Sequence, residues 1–308
     1  MNAKVKKFKD RANWLAFRAN YLNSTEIAAL FGCSPYSTVF ELWHTKQGGN
    51  VVEIQINERM KWGSRLQKAI AEGIAEDHAW ALEDLDLQYA YDDKAGLGSS
   101  FDYKITENRD GDMVPGLLEI KNVDSLAFKE GWLIEGENVE APPHIEFQIQ
   151  QQLLLSGAAY LYLGALVGGN KPCVVKREPD VAVQKAILQK AAEFWKSIKE
   201  GIEPKPDFKK DAEFISQLYS RSIKGKVLDK IENAEWLPLV VKYHDFGAKV
   251  KDLELEQMAI KAELLVKTGD YEKVRGEKFS ISAGMVGESK IEYVRKPYRT
   301  FKVNFKGE

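Results

Sequence analysis

Gly98-Ser99-Ser100-Phe101-Asp102-Tyr103-Lys104, followed by Gly116-Leu117-Leu118-Glu119-Ile120-Lys121-Asn122-Val123, decides how this chain is read. The two stretches are predicted as neighbouring strands over residues 99–106 and 117–123, joined through the turn-rich Asn108-Arg109-Asp110-Gly111-Asp112. Glu119 and Lys121 are two apart, so on a strand they share one side. With Asp102 on the adjacent strand, two acids and a cation meet at one sheet edge. Paired carboxylates repel each other and invite a divalent cation, and a nearby ammonium can hold or polarise water. That is the chemistry of metal-assisted phosphodiester hydrolysis. A Glu-x-Lys spacing alone is common on charged strands, where it makes only a solvated ion pair. Here the flanking positions are mostly apolar, as on an inner strand.

Outward from this pair, the chain alternates helices and strands. Short helices are predicted at 13–18 and 24–30, the second capped by Ser24, and another from Val39 to His44 after Ser34-Pro35. Gly48-Gly49-Asn50 reads as a loop. Met60, Trp62, Leu66, Ile70 and Ile74 mark a long amphipathic helix over 57–78. Alternation predicts a strand over 85–91. Pro142-Pro143 opens a helix through Ser156, strands follow at 160–167 and 173–176, and a helix over 180–201 ends at Gly201. Inside the first of these late helices, Gln148 and Gln152 share a face and Gln150 lies on another side.

The expected architecture is α/β, a central mixed sheet flanked by helices over residues 1–207, with a helical plus β extension over 208–308. In that extension Phe246, Val250, Leu253, Gln257, Ile260 and Leu264 step by four and three. This reads as a helical arm packing on its own protein, with a coiled-coil dimer as the alternative. Strands are expected at 279–282 and 300–305. The tail interleaves Lys290, Arg295, Lys296, Arg299, Lys302 and Lys306 with Tyr293, Tyr298 and Phe301, which suits nucleic acid or an exposed edge strand.

The composition is that of an ordinary soluble protein: 308 residues, 44% hydrophobic, 29% charged, net charge −2. The mild charge argues against coating nucleic acid by bulk electrostatics. Cys33 and Cys173 cannot build a metal cluster or a disulfide framework, and His44, His78, His144 and His244 are scattered, which argues against zinc. The basic Met1–Lys9 lacks the apolar run of a signal peptide, and Ala158–Val167 is too short to span a bilayer, so a reducing cytoplasm is expected.

The residues resemble the phage-type exonucleases of the lambda exonuclease and YqaJ recombinase group, nucleases of the PD-(D/E)xK superfamily. The resemblance covers residues 13–207. It rests on ordered blocks: Trp14 and Arg18 before Asn23-Ser24-Thr25-Glu26, then Trp62-Gly63-Ser64-Arg65-Leu66, Ser100-Phe101-Asp102-Tyr103, Leu118-Glu119-Ile120-Lys121 and Phe147-Gln148-Ile149-Gln150. It implies that Asp102, Glu119 and the Ile120 carbonyl bind Mg²⁺, with Mn²⁺ as a substitute. It implies that Lys121 activates the attacking water, with a pKa lowered near two metals, and that Gln150 places that water or the phosphate. Arg18 with Ser24 or Thr25 would meet the 5′-phosphate end of DNA, and Gln148 the DNA as well. The implied activity is a 5′-to-3′ double-stranded DNA exonuclease in phage-type recombination, a ring-shaped homotrimer working with a single-strand annealing protein in the cytoplasm of a bacterial host. Two positions depart from the pattern. Gln67 stands where the family carries Glu, leaving Glu72 or Glu76 as possible compensation, and Phe101 stands where many members have Pro. A structure- or site-specific DNA endonuclease on the same core and a catalytically weakened DNA-end-binding module are the alternatives.

Overall fold

The computed structural model describes residues 3–48, 57–109, 111–135, 138–229, 234–295 and 298–304. By contacts the chain divides into two compact units, Met1–Leu218 and Tyr219–Glu308.

The first unit opens with β1 (Lys4–Lys7) and α1 (Arg11–Arg18). Asp10 starts α1 by accepting the Asn13 amide at 2.8 Å. β2 (Leu22–Asn23) and a 3-10 turn at Ile27–Phe31 follow. Ser24 was expected to cap this turn. Instead Glu26 precedes it without a side-chain bond, and the Ser24 hydroxyl accepts from Ser99 Oγ at 2.8 Å. α2 (Val39–Lys46) begins on a reciprocal Thr38–Glu41 capping box. α3 (Glu58–Asp77) is capped by Asn57 and matches the predicted span, although Met60 and Trp62 face solvent. The loop expected at 48–50 falls largely outside the described residues.

The predicted strand at 85–91 is broken. β3 (Ala81–Asp84) and β4 (Gln88–Asp92) flank a turn in which Leu87 has φ of 57°. The strand predicted over 99–106 is also two pieces, β5 (Leu97–Ser99) and β6 (Tyr103–Arg109). Ser100, Phe101 and Asp102 form the gap, because the chain passes there from one sheet to another. β7 (Asp112–Val123) is longer than predicted, and Asp124 caps α4 (Ser125–Gly131) with its carboxylate. A small hairpin, β8 (Leu133–Glu135) and β9 (Asn138–Glu140), leads to α5 (Pro143–Ser156), whose Pro143 needs no amide partner at a first turn. β10 (Leu161–Val167), β11 (Lys171–Arg177) and α6 (Val181–Glu200) follow. Asp180 caps α6 and Gly201 closes it in the left-handed region.

Five strands form the central sheet in the order β11-β10-β7-β6-β3, with β10 and β7 parallel and the other pairs antiparallel. This is the mixed α/β sheet flanked by helices that the sequence led us to expect. The two-residue period of β7 splits its side chains. Leu118 and Ile120 pack with Ile70, Ala71 and Ile74 of α3, whereas Leu117 packs with Ile145, Ile149 and Leu153 of α5. α3 lies so close that a Cβ at Gly164 of β10 would come 2.6 Å from Ile74 Cδ1. The second sheet, β1-β4-β5-β2, packs against the 3-10 turn, α2 and α6 through Leu22, Ile27, Leu97, Ile187 and Phe194.

Past residue 207, the first contact unit continues to Leu218. Asp211 is fully buried, accepts from Thr38 Oγ1 and the Asp207 amide, and anchors α7 (Ala212–Leu218), whose Phe214 meets Phe40 edge-on.

The second unit holds α8 (Trp236–Thr268) and a hairpin of β12 (Lys273–Arg275) and β13 (Ser280–Ser282). The strand expected at 279–282 is therefore present, but residues 300–304 form no strand, and Phe305 lies outside the described residues. The arm expected to bury its apolar stripe leaves it in solvent, with Phe246, Val250, Leu253, Ile260 and Leu264 all exposed. In the basic and aromatic tail, Arg295 stacks on Tyr298 and Arg299 donates to the Tyr219 carbonyl at 2.9 Å.

Candidate active site

The gap between β5 and β6 places Asp102 beside the β7 backbone, where its Oδ2 accepts the Ile120 amide at 2.8 Å. Glu119 and Lys121 leave β7 on the α5 side. Glu119 is 4% exposed, and three groups hold it there. Gln148 Nε2 donates to Oε1 at 2.6 Å, Gln152 Nε2 donates to Oε2 at 2.8 Å, and Lys121 Nζ donates to Oε1. Lys121 also reaches Gln148 Oε1 at 3.2 Å. An isolated carboxylate would not stay ionised at this depth. Charge-assisted bonds, each worth roughly 1.5–3 kcal/mol, offset the desolvation.

These groups open into a cleft of about 500 Å³. Asp102, Glu119, Lys121 and Gln148 line it together with Arg11, Trp14, Arg18, Ser24 and Thr25, Ser64 and Gln67 of α3, and Asp84 and Asp86. Arg18 lies 4.4 Å from the Trp14 ring centroid and donates to Asn23 Oδ1 at 3.2 Å. Ser100 Oγ and Trp14 Nε1 are buried at this cleft without a partner in the protein.

Asp102 is the strongly perturbed acid. Burial first, and then the Glu119 charge, push its pKa up to about 7 against the pull of Lys121, the Ile120 amide and a hydrogen bond from Gln67. Burial lowers the Lys121 pKa, but Glu119 and Asp102 outweigh it, and the ammonium ends above its ordinary value. The protein's own charges thus raise this pKa, whereas the lowering implied by the family resemblance belongs to a site with two metals bound. His144 at the start of α5 is pulled down, by burial and then by Lys121.

Several expected residues stand elsewhere. Gln150 does not line the cleft. It donates to the Glu178 carbonyl at 3.0 Å and accepts the Asp180 amide at 2.8 Å, tying α5 to the start of α6. Gln67 does reach Asp102. Glu72 pairs with Lys68 at 3.7 Å, and neither it nor Glu76 lines the cleft. Sequence reasoning passed over Gln151 and placed Gln152 only on the face it shares with Gln148. Gln152 bonds Glu119, and Gln151 Nε2 donates to the Leu22 carbonyl at 2.9 Å and the Gly98 carbonyl at 3.0 Å. All four glutamines from 148 to 152 are buried, so the run is no solvated face. The signal was available: four amides on a helix flanked by Ile145, Ile149 and Leu153 are too many for one exposed side.

Residues 13–159 match the YqaJ-like viral recombinase domain. The match takes in Trp14 and Arg18, all of α3, Asp102, Glu119, Lys121 and the glutamines of α5. The resemblance to the YqaJ group therefore holds over that segment. Among solved structures, an alkaline exonuclease (LHK-Exo) from Laribacter hongkongensis is 18% identical, with a TM-score of 0.47 over 67% of this chain and 100% of that one. The same exonuclease in complex with dAMP is 17% identical, with a TM-score of 0.46 over the same shares. No curated protein matches.

Among the described residues no cluster of three or more His, Cys, Asp or Glu side chains could hold a metal ion. The donors at the cleft are the carboxylates of Asp102 and Glu119, with Asp84 and Asp86 also on its wall, and neutral oxygens. Their hardness fits Mg²⁺ better than zinc, and the raised pKa of Asp102 marks a place that lacks positive charge. No helix among the described residues is long and apolar enough to cross a membrane.

Proposed function

We propose that this chain is a metal-dependent deoxyribonuclease, a 5′-to-3′ exonuclease on double-stranded DNA that serves phage-type recombination. The observation that carries the reading is the cleft itself. It gathers the Asp102 and Glu119 carboxylates and the Lys121 ammonium with Arg11, Arg18 and the hydroxyls of Ser24 and Thr25, which suits a phosphodiester beside a DNA end. Asp102, Glu119 and the Ile120 carbonyl are the groups proposed to hold Mg²⁺, or Mn²⁺ in its place. That ion would supply Lewis-acid charge at the scissile phosphate. Lys121, held protonated between Glu119 and Gln148, would orient the attacking water or a phosphate oxygen. Gln148 and Gln152 would keep the Glu119 oxygens turned toward the cation. Arg18, whose guanidinium is stiffened on Trp14, would take the 5′-phosphate with Ser24 and Thr25. A ring-shaped homotrimer, an annealing protein as partner and a cytoplasmic setting belong to the same reading.

The deciding experiment follows products from 5′-labelled linear duplex and from covalently closed circles in Mg²⁺. Nucleotide release from the linear duplex and intact circles are expected. Cut circles would mean an endonuclease and refute the exonuclease reading. Lys121→Ala should keep DNA binding and abolish cleavage, and robust cleavage by that variant removes the role given to Lys121. Gln67 favours a second reading, a DNA-end-binding module of weakened catalysis, because an amide replaces a negative ligand beside Asp102. End binding without nucleotide release at millimolar Mg²⁺ would establish it.

A further inference from the structure

The three-four stepping of α8 does not begin at Phe246. It extends back through Tyr243 and Leu239 to Trp236, the first residue of the helix. The seam therefore runs unbroken over four heptads to Leu264, about 42 Å at 1.5 Å per residue. Every apolar member is between 42% and 68% exposed. Among the described residues of its own unit, Tyr243 meets Phe301 edge-on and Lys242 and Lys249 of the helix itself lie over the Phe246 ring. Soluble proteins rarely leave an apolar stripe of this length in water.

The flanks of the stripe specify what fits it. With Val250 and Gln257 at a positions and Leu253 and Ile260 at d, the g residues include Lys249 and Glu256, and the e residues Glu254 and Lys261. In a parallel pair each g residue faces the e residue five further along the other helix. Lys249 then meets Glu254 and Glu256 meets Lys261, both twice by symmetry. The remaining flanking pairs, Lys242 with Gly247 and Glu263 with Thr268, bring no like charges together. Gln257 meets Gln257, and two amides satisfy each other. In an antiparallel pair a positions face d positions, which are apolar from Leu239 to Ile260. The Gln257 amide would then be buried without a partner, at about 1–3 kcal/mol. Removing the seam of two helices from water buries on the order of 1,200 Å², the lower bound for a stable interface.

The geometry points to a second copy of this chain as the occupant: α8 pairs with its own counterpart in a parallel, in-register coiled coil. This stands apart from the nuclease reading and survives its failure.

The test uses the full chain with Cys33→Ser and Cys173→Ser, which leaves no native thiol. Gln257→Cys in this background should form a covalent dimer under mild oxidation, because facing a positions come within disulfide reach. Leu255→Cys, on the outer face of the same helix, should cross-link at least tenfold less. Leu253→Glu with Ile260→Glu should abolish the cross-link and lower the mass measured by sedimentation, with the far-ultraviolet spectrum of the first unit's folded chain retained. Equal cross-linking at 257 and 255 would overturn the proposal. So would an unchanged mass in the double variant, or a disulfide that forms only when Gln257→Cys is mixed with Phe246→Cys, the antiparallel outcome.

Discussion

Asp102→Asn should stabilise the protein while destroying its activity, and the effect should appear only at high pH and low metal. The Asp102 carboxyl is raised from 3.8 to about 7 in the fold. At 1.36 kcal/mol per unit, ionising it there costs roughly 4 kcal/mol more than in the unfolded chain. Because the folded pKa is raised, its favourable contribution is complete below about pH 4 and is lost as pH climbs through 7. Asparagine removes the charge and keeps an oxygen for the Ile120 amide. In EDTA at pH 3 the two proteins should melt within about 1 °C of each other, since the carboxyl is then protonated in the fold and mostly so in the unfolded chain. At pH 8 the variant should melt higher by roughly 4–10 °C, at 2–4 °C per kcal/mol for a unit of this size, with part of the ceiling lost to solvent relaxation. Millimolar Mg²⁺ should close that gap by stabilising the parent alone. Differential scanning calorimetry at the two pH values checks this. A gap of the same size at pH 3 and pH 8, or a variant that melts lower at pH 8, would refute the assignment of a desolvated, cation-seeking carboxylate.

The other expectations concern the amides. Gln67→Glu should lower the Mg²⁺ concentration for half-maximal cleavage by tenfold or so, the effect of about 1.4 kcal/mol; an unchanged Mg²⁺ dependence would place residue 67 outside the metal environment. Gln152→Leu should raise that Mg²⁺ requirement and cost about 1–3 kcal/mol of stability through the orphaned Glu119 oxygen. Gln150→Leu should also lower stability, yet leave the Mg²⁺ dependence where it was, because its bonds run to Glu178 and Asp180. A rise in Mg²⁺ requirement in that variant would return Gln150 to the site.

Much of this arrangement was legible in the chain. Period-two alternation in Leu118-Glu119-Ile120-Lys121 set the two faces of β7, and capping residues at Asn57, Asp180 and Gly201 set the ends of α3 and α6. What stayed hidden has physical causes. The break at Ser100–Asp102 depends on the chain changing sheets, which no local propensity records. β1 is four exposed residues of mostly lysine, held by pairing with β4 and by long-range lysine contacts to Asp93 and Phe17. The partners of the glutamines are long-range: Gln151 reaches Leu22 and Gln150 reaches Glu178. A helix wheel separates their directions, but only the tertiary fold says which strand each direction meets.

The Gln151 amide joins Leu22 and Gly98, the two strands that lead into Ser24 and Asp102, to the helix whose other glutamines hold Glu119. α5 therefore works as a ruler. The span from the Ser24 and Thr25 hydroxyls proposed to grip a DNA end to the Asp102 and Glu119 carboxylates proposed for hydrolysis is set by one rigid helix turn instead of by a loop. In an exonuclease built this way the length of strand surrendered at each cut is a constant of the scaffold, insensitive to the bases that pass through it. Shortening the Gln151 tether would blur that measure before it slowed the chemistry.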